Sequence, residues 1–418
     1  MNVVERHPST EGQKCAKLVW GIGLLALALP SVVLAETLTE NRAIELGLGQ
    51  LHFNQLLESQ EDAARGNSLT TQTWQNPELG LSREKLGDET ETSIWLHQRF
   101  DISGQRKLTK QASIHELSAV EAANQVARIE RKNQIRSHFY QLLFQQQQRQ
   151  LFNHWVEKFS TVEAAMEKRE AAGDVSGYDR RRISRERVLL MAEQRSIEAE
   201  YYATKDRMSG LLGQDDFTTL NDVEGSLAPD ALPPLESLVQ GLEKHPVFTD
   251  MRLQGEAARL YSQAAARSHI PEVTLGIGQK RVEGAGSSDS GLMLSASVPL
   301  PFFDRKRGQR QRFAAEAAQA ESKYQLTLQQ TQADLRALWH KARQLNENSQ
   351  LFKAQSVSAS YELVRIAEAA YHANEIGVLE LIDAYRITLD TETNALKLTL
   401  QARTARLELD KIIEGIQL

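Results

Sequence analysis

The sequence predicts a mainly helical chain, built twice over, with short strand pairs between its helices. Three observations lead there. From about Gln105 to Leu212 there is no proline and only one tight break, Ala172-Gly173-Asp174-Val175-Ser176. As a single α-helix the first arm, Gln105 to Ala172, would span about 100 Å at 1.5 Å per residue, a rod that no compact domain needs. At the break, Gly173 can take the left-handed helix-stop conformation and Ser176 can cap a helix running back, which makes a hairpin with a sharp tip. The second observation is that this tip recurs at Ala373-Asn374-Glu375-Ile376-Gly377, with asparagine, the residue that best tolerates the left-handed region after glycine, at the turn. The third is a set of landmarks repeated at nearly constant spacing. Ile44 and Leu48 match Leu238 and Leu242, and Pro77 matches Pro271, all 194 residues apart; Gly173 matches Asn374 at 201, and Gly104-Gln105-Arg106 matches Gly308-Gln309-Arg310 at 204. Offsets this close indicate an internal duplication.

Taken in order, residues 1–35 read as a secretory signal: Arg6, Lys14 and Lys17, the apolar run Leu18 to Leu34, then small-residue cleavage after Val33-Leu34-Ala35. The only cysteine, Cys15, precedes the apolar run, so the processed chain is expected to carry no thiol, disulfide or acyl anchor. Processing moves the formal charge from −6 to −7, since three basic and two acidic residues leave with the signal. An acidic balance disfavours nucleic acid as a partner. Beyond the signal no apolar run reaches the ~20 residues of a membrane helix, so any membrane insertion must use strands.

The first repeat is expected over 36–213: a leading helix from Leu38 to about Trp74, a strand pair, then the long helical hairpin. The second, 235–418, has its leading helix from Leu235 to about His269. Each copy carries strand-like runs after its proline. In the second, Val273, Leu275 and Ile277 alternate with Thr274, Gly276 and Gly278, and Leu292, Leu294, Ala296, Val298 and Leu300 alternate with Met293, Ser295, Ser297 and Pro299. The first is poorer, with Leu79 and Leu81, then Ile94, Leu96 and Phe100 against Trp95, His97 and Arg99. Period-two alternation of this length is the weak signature of a membrane strand, with two solvent-exposed hairpins on a soluble protein as the alternative. The ten additional residues of the second copy are expected in a Gly- and Ser-rich hairpin loop, Gly284 to Ser290. Four strands cannot close a barrel, and lipid tolerates no open sheet edge, so a membrane reading requires oligomers; three chains would supply twelve strands.

The helices carry Ala-rich faces (Ala314, Ala315, Ala317, Ala318), the run Gln145 to Gln148, and few large apolar residues per turn. Narrow seams of small residues suit helices wetted on two sides, as in a tube wall. A surface coiled coil fits them too. Segment 214–234, with Asp215, Asp216, Asp222 and Asp230, joins the repeats and is expected outside the tube.

Signal, duplicated architecture and the two tips, Gly173-Asp174-Val175-Ser176-Gly177-Tyr178-Asp179 and Tyr371 through Ala384, together resemble the outer-membrane factor (TolC-like) family across essentially the whole processed chain. The resemblance implies a homotrimer, mainly α with membrane β: a twelve-stranded barrel in the outer membrane, four strands per chain, continued by a long α-helical tunnel across the periplasm. In detail the chain is similar to the outer-membrane component of cobalt-zinc-cadmium and cobalt-nickel resistance systems. That implies partnership with a periplasmic adaptor and an inner-membrane transporter of the RND type, contact with outer-membrane lipid, and nickel or cobalt as cargo, with zinc or cadmium next. Drug or protein export is the alternative within the channel class. A soluble periplasmic coiled-coil adaptor or scaffold is the alternative outside it, but an adaptor calls for a compact β-rich domain beside the hairpin, and none is legible.

No enzymatic reaction and no cofactor are expected. The ten histidines form no His-Glu-x-x-His or other close ligand pair, and there is no G-x-S-x-G elbow, P-loop or cysteine cluster. The resemblance aligns Glu380 and Asp383 with paired acidic residues that ring the periplasmic aperture. Their i, i+3 spacing puts them on one helical face, and three chains would bring six carboxylates together. As a purely structural role, Glu380 would serve as a helix-start acid, as Asp179 would after Ser176. Asp179 and Tyr371 align with an aperture latch whose usual arginine partner is replaced here by Ile376, so either the latch is weaker or Arg180, Arg181 or Arg182 supplies the cation. Gly173, Ser176, Asn374 and Gly377 mark the tips expected to dock on the adaptor. A basic cluster just past the strands, Arg305, Lys306, Arg307, Arg310 and Arg312 with Arg106, Lys107 and Lys110, is placed to meet lipid headgroups.

Overall fold

A computed structural model describes residues 37–213, 222–284 and 286–416. The signal-like segment 1–35 and the linker residues Asp215 and Asp216 lie outside the described residues. The elements run β1 (Leu38–Thr39), α1 (Glu40–Leu48), α2 (Leu51–Gln72), β2 (Glu78–Leu86), β3 (Glu89–Phe100), α3 (Gln105–Ala171), α4 (Gly177–Leu212), β4 (Val223–Glu224), α5 (Leu235–Gly241), α6 (Pro246–Ala266), β5 (Val273–Gly284), β6 (Ser287–Ser297), α7 (Arg307–Phe352), α8 (Ser358–His372) and α9 (Val378–Ile413). A π-helical turn, Lys353–Val357, joins α7 to α8.

Each leading helix is broken, against expectation, and at matching places. In the first copy Gln50 turns to extended ψ of 127° and the Asn54 side chain closes the gap by donating to the Leu48 carbonyl at 2.9 Å. In the second, Pro246 forces His245 out of helical conformation and then starts α6 as its first residue. Both tips end in the expected way. Gly173 (φ 82°) and Asn374 (φ 58°) are left-handed. The following amides bond back, Asp174 to the Arg169 carbonyl and Glu375 to the Ala370 carbonyl, each at 2.9 Å.

The strands β2-β3-β5-β6 form one antiparallel sheet in that order, so the two hairpins share a ladder and β2 and β6 are its edges. The second hairpin is tighter than the Gly- and Ser-rich composition suggested. Ser287 already pairs with Gly284, so Ser287 to Ser290 belong to β6. At the other end β6 stops at Ser297, because Pro299 and Pro301 cannot donate to a ladder. The additional length of the second copy therefore lies in a longer β5 and in the segment after β6. The long helices are started by the left-handed residues Gly104 and Lys306, so Lys306, not Gly308, is the structural counterpart of Gly104.

Below the sheet α2, α3, α6 and α7 pack side by side; toward the tips α3, α4, α8 and α9 do. The core is a series of seams. One, near mid-height, gathers Ile135, Phe139, Leu142 and Leu143 with Tyr201 and Met208. Another, nearer the tips, gathers Phe152, Trp155, Phe159 and Met166 with Ile183, Leu381, Ile382 and Tyr385. The linker crosses at mid-height as a strap. β4 pairs in parallel with β1, and the Gln146 amide clamps both backbone groups of Val223, at 2.8 and 2.9 Å. The guanidinium of buried Arg403 donates to the carbonyls of Leu227 (3.0 Å), Ser226 (2.9 Å) and Ala228 and stacks on Tyr140 at 4.2 Å. Beside the strap, a cavity of about 410 Å³ opens among Leu151, Leu227, Ser349, Val357 and Leu396.

Candidate functional site

Strand register sorts the sheet into two unlike faces. Residues opposite one another in a ladder share a face, so Leu79, Leu96, Ile277 and Leu294 form one row and Leu81, Ile94, Gln279 and Leu292 the next. Two further rows toward the helices hold Leu275 with Gln98 and Ala296, and Phe100 with Val273. Four rows cover about 20 Å at roughly 3.3 Å per residue. Beyond them the same face turns polar with Arg83, Thr92, Arg281 and Ser290. The apolar rows are bare: Leu79, Leu81, Leu292 and Leu294 are all more than 70% exposed.

The opposite face carries Gly80, Trp95, Gly278 and Met293 in one row and Glu78, His97, Gly276 and Ser295 in another. The glycines let the large rings lie flat. A Cβ on Gly80 would sit 2.3 Å from the Trp95 indole, and one on Gly276 2.1 Å from the His97 ring, which reaches across to Ser295 Oγ at 3.1 Å. His97 is thus a hydrogen-bonded polar residue of this face.

At the other end, α9 starts after Gly377 with no side-chain cap. Val378, Leu381, Ile382 and Tyr385 are buried in the tip seam, which turns Glu380 and Asp383 outward together. Asp390, exposed and seven residues past Asp383, extends this acidic stripe; the heptad step was the signal that could have found it. Ser176 and Asp179 do form a helix start: the Ser176 hydroxyl accepts the Asp179 N–H at 3.2 Å and donates to the Asp179 carboxylate at 2.7 Å. Tyr371 lies buried, its hydroxyl donating to Met166 Sδ at 2.9 Å. Among the described residues Asp179 and Tyr371 do not meet. Arg180 is engaged with Glu170 across its own hairpin at 2.5 Å, whereas Arg181 and Arg182 have no carboxylate partner among the described residues.

Contacts that the sequence did not reveal tie the two hairpins together near the tips. Arg169 donates to the Asn374 side chain at 2.8 Å, so the tips touch directly. Arg386 faces Glu186 at 3.7 Å. Glu368 accepts from Lys158 at 2.9 Å and from the Tyr385 hydroxyl at 2.8 Å, joining α3, α8 and α9. Burial pushes the Glu368 carboxyl up, but these two bonds and the Lys158 and His372 charges outweigh it, and its pKa lies below the usual value. Among the described residues there is no group of three or more His, Cys, Asp or Glu side chains able to hold a metal ion. None of the described helices is long and apolar enough to cross a membrane.

Residues 238–415 match the outer membrane efflux protein family. Over 384 residues the chain is 22% identical to the cobalt-zinc-cadmium resistance protein CzcC of Cupriavidus metallidurans, which spans 91% of this chain and 90% of that protein. The fold resembles that of the outer membrane protein VceC of Vibrio cholerae, with a TM-score of 0.76 at 18% identity over 90% of this chain and 95% of VceC. It also resembles the transmembrane channel CusC, with a TM-score of 0.76 at 16% identity over 90% and 91% of the two chains.

Proposed function

We propose that this chain, whose residues 238–415 match the outer membrane efflux protein family, is the outer-membrane duct through which a tripartite pump expels heavy-metal cations, nickel or cobalt first and zinc or cadmium next. The observation that carries this reading is the open four-stranded sheet, apolar on one face and unpaired along β2 and β6. Neither a bare apolar face nor an open edge is stable in the place the family assigns it unless lipid covers the one and neighbouring strands the other. Joining β6 of one protomer to β2 of the next in a ring of three gives twelve strands, with the leucine rows outward and the Trp95 face lining the lumen. A soluble adaptor would have no use for such a sheet. The long hairpins then form the periplasmic tunnel, and the tips at Gly173, Ser176, Asn374 and Gly377 are the surface for a periplasmic adaptor. An inner-membrane RND transporter supplies the energy, since the chain is a duct and not an enzyme. The likeness to a cobalt-zinc-cadmium resistance protein supports a metal cargo over drugs or proteins.

In the trimer Glu380 and Asp383 become six carboxylates at the tip aperture, with Arg181 or Arg182 closest to the role of the missing latch cation. A ring of fixed carboxylates attracts cations and favours a shared counter-ion in a narrow throat. Replacing both residues by Ala removes six formal charges. In planar bilayers the E380A/D383A trimer should conduct more, prefer cations less and lose block by divalent ions. Unchanged selectivity and block in a properly assembled trimer would remove these carboxylates from the mechanism.

A further inference from the structure

The apolar face of the sheet does not stop where pairing stops. On the β6 line Ala296, Val298 and Leu300 continue the period that placed Leu292 and Leu294 on that face, while Pro299 and Pro301 on the other phase forbid further ladder bonds. Val298 and Leu300 are exposed, and after them stand Phe302, 70% exposed, and Phe303, which is completely so. The segment is nonetheless built. Phe302 donates to the Leu300 carbonyl at 2.9 Å, and Asp304 accepts both the backbone N–H of left-handed Lys306 (2.8 Å) and its ammonium (2.6 Å). Lys306 is thereby neutralised within the chain. Arg305 and Arg307, both exposed, have no carboxylate partner among the described residues, nor do Lys107 and Lys110 at the start of α3. The first copy has nothing comparable after β3: Asp101 closes that turn at once by accepting the Ser103 and Arg106 backbone N–H groups at 2.8 and 2.7 Å. A second aromatic cluster sits at the same end of the sheet, where exposed Trp74 stands edge-on to Phe100 (6.2 Å) and carries the Arg106 guanidinium at 3.9 Å.

Leucine, then phenylalanine, then unpaired arginine is the order of solvents met on leaving a bilayer: hydrocarbon, interface, charged headgroup. We propose that Val298–Arg307 is a membrane finger, one per protomer, that seats Phe302 and Phe303 in the periplasm-facing leaflet and holds anionic phospholipid headgroups with Arg305 and Arg307. This rests on the outer-membrane reading above and adds to it a preferred lipid. The charge complementarity is specific to this rim, since among the described residues the exposed Phe302–Phe303 pair and unpaired cations coincide only there.

The test is insertion of the full processed chain into vesicles of phosphatidylcholine alone or mixed with phosphatidylglycerol, scored as trimers that migrate differently before and after boiling. Wild type should insert about 25-fold better into the mixed vesicles, from two charges per protomer at roughly fivefold each, and salt should erase the difference. R305Q/R307Q should abolish the preference at roughly fivefold per lost charge while leaving insertion into phosphatidylcholine unchanged. F302S/F303S should lower insertion into both. Equal insertion of wild type and R305Q/R307Q into mixed vesicles at low salt would overturn the proposal. So would loss of F302S/F303S trimers in lipid-free detergent, which would make the finger a contact between protomers. If wild type forms no trimer in any lipid, the duct reading itself fails, and the finger with it.

Discussion

Replacing Arg403 by Met should free the mid-height strap and little else. The residue is 2% exposed and its guanidinium is the donor to three consecutive carbonyls, Ser226, Leu227 and Ala228. Methionine keeps much of the volume and none of the donors. Each bond is worth about 1 kcal/mol net, and the stacking on Tyr140 about 1 more, against which stands the desolvation of a buried cation that the variant no longer bears. Ser226 and Ala228 are exposed, so their carbonyls can turn to water. A local loss of about 3 kcal/mol follows, which is roughly a hundredfold in the opening equilibrium of the strap. Hydrogen exchange of the assembled protein reads it directly: the Val223 amide, bonded to Gln146 at 2.8 Å, should exchange about a hundred times faster. Amides of the tip seam around Trp155 and Ile382 should be unchanged. R403K, which keeps the charge but cannot span three carbonyls, should fall between. Unchanged exchange at Val223 in a folded R403M trimer would refute the argument, and uniform acceleration throughout would show that Arg403 supports the whole bundle instead.

The link at Glu368 makes a pH prediction. Its folded pKa is depressed, so the stability it contributes is present above the unfolded carboxylate value and is lost as pH falls through the folded one. Melting temperature of the wild-type trimer should drop on acidification below about pH 4.5, and the drop should be smaller in E368Q; equal acid sensitivity of the two would assign the loss elsewhere. On the sheet, G80V should disrupt trimer formation, because its Cβ would stand 2.3 Å from the Trp95 indole and overpacking of this kind costs about 1–3 kcal/mol. Removing the ring in G80V/W95A should restore the trimer, and failure of that rescue would mean that Gly80 is needed for backbone reasons alone.

Much of this was legible because it is written in local chemistry. Turn residues at Gly173 and Asn374, prolines at Pro77 and Pro271 and alternation in β5 each state a short-range preference that nothing in the packing opposes. Where the sequence misled, a local signal had two meanings. Glycine and serine over Gly284 to Ser290 read as loop, yet Ser287 to Ser290 extend a two-sided strand that needs few large side chains. Pro246 splits the second leading helix and also starts its lower half as a first helical residue, two roles that look alike along the chain. At the site, the pairing of Glu380 and Asp383 on one face follows from spacing, whereas their outward turn follows from the burial of Val378, Leu381, Ile382 and Tyr385. The Lys158–Glu368–Tyr385 link and the Arg403 clamp join residues some 175 to 230 positions apart or across three helices, and no pattern along the chain encodes such meetings.

The π-turn at Lys353–Val357 has a mechanical consequence. Above it the buried residues Leu335, Ala342 and Ser349 recur every seven positions; the next, Ser360, comes eleven later, and Ser360 to Ala367 and Val364 to Tyr371 then resume the step of seven. A seven-residue beat winds neighbouring helices to the left, whereas an eleven-residue beat winds them to the right. The supercoil therefore relaxes at one level, beside the cavity lined by Ser349 and Val357. The seam of α8 against α9 is thus offset from that of α7 by the four extra residues of the eleven-residue step. The twin rod α3 runs 67 residues with no such joint. The two long rods of the chain are therefore unlike: one is continuous, and the other shifts its seam part-way along.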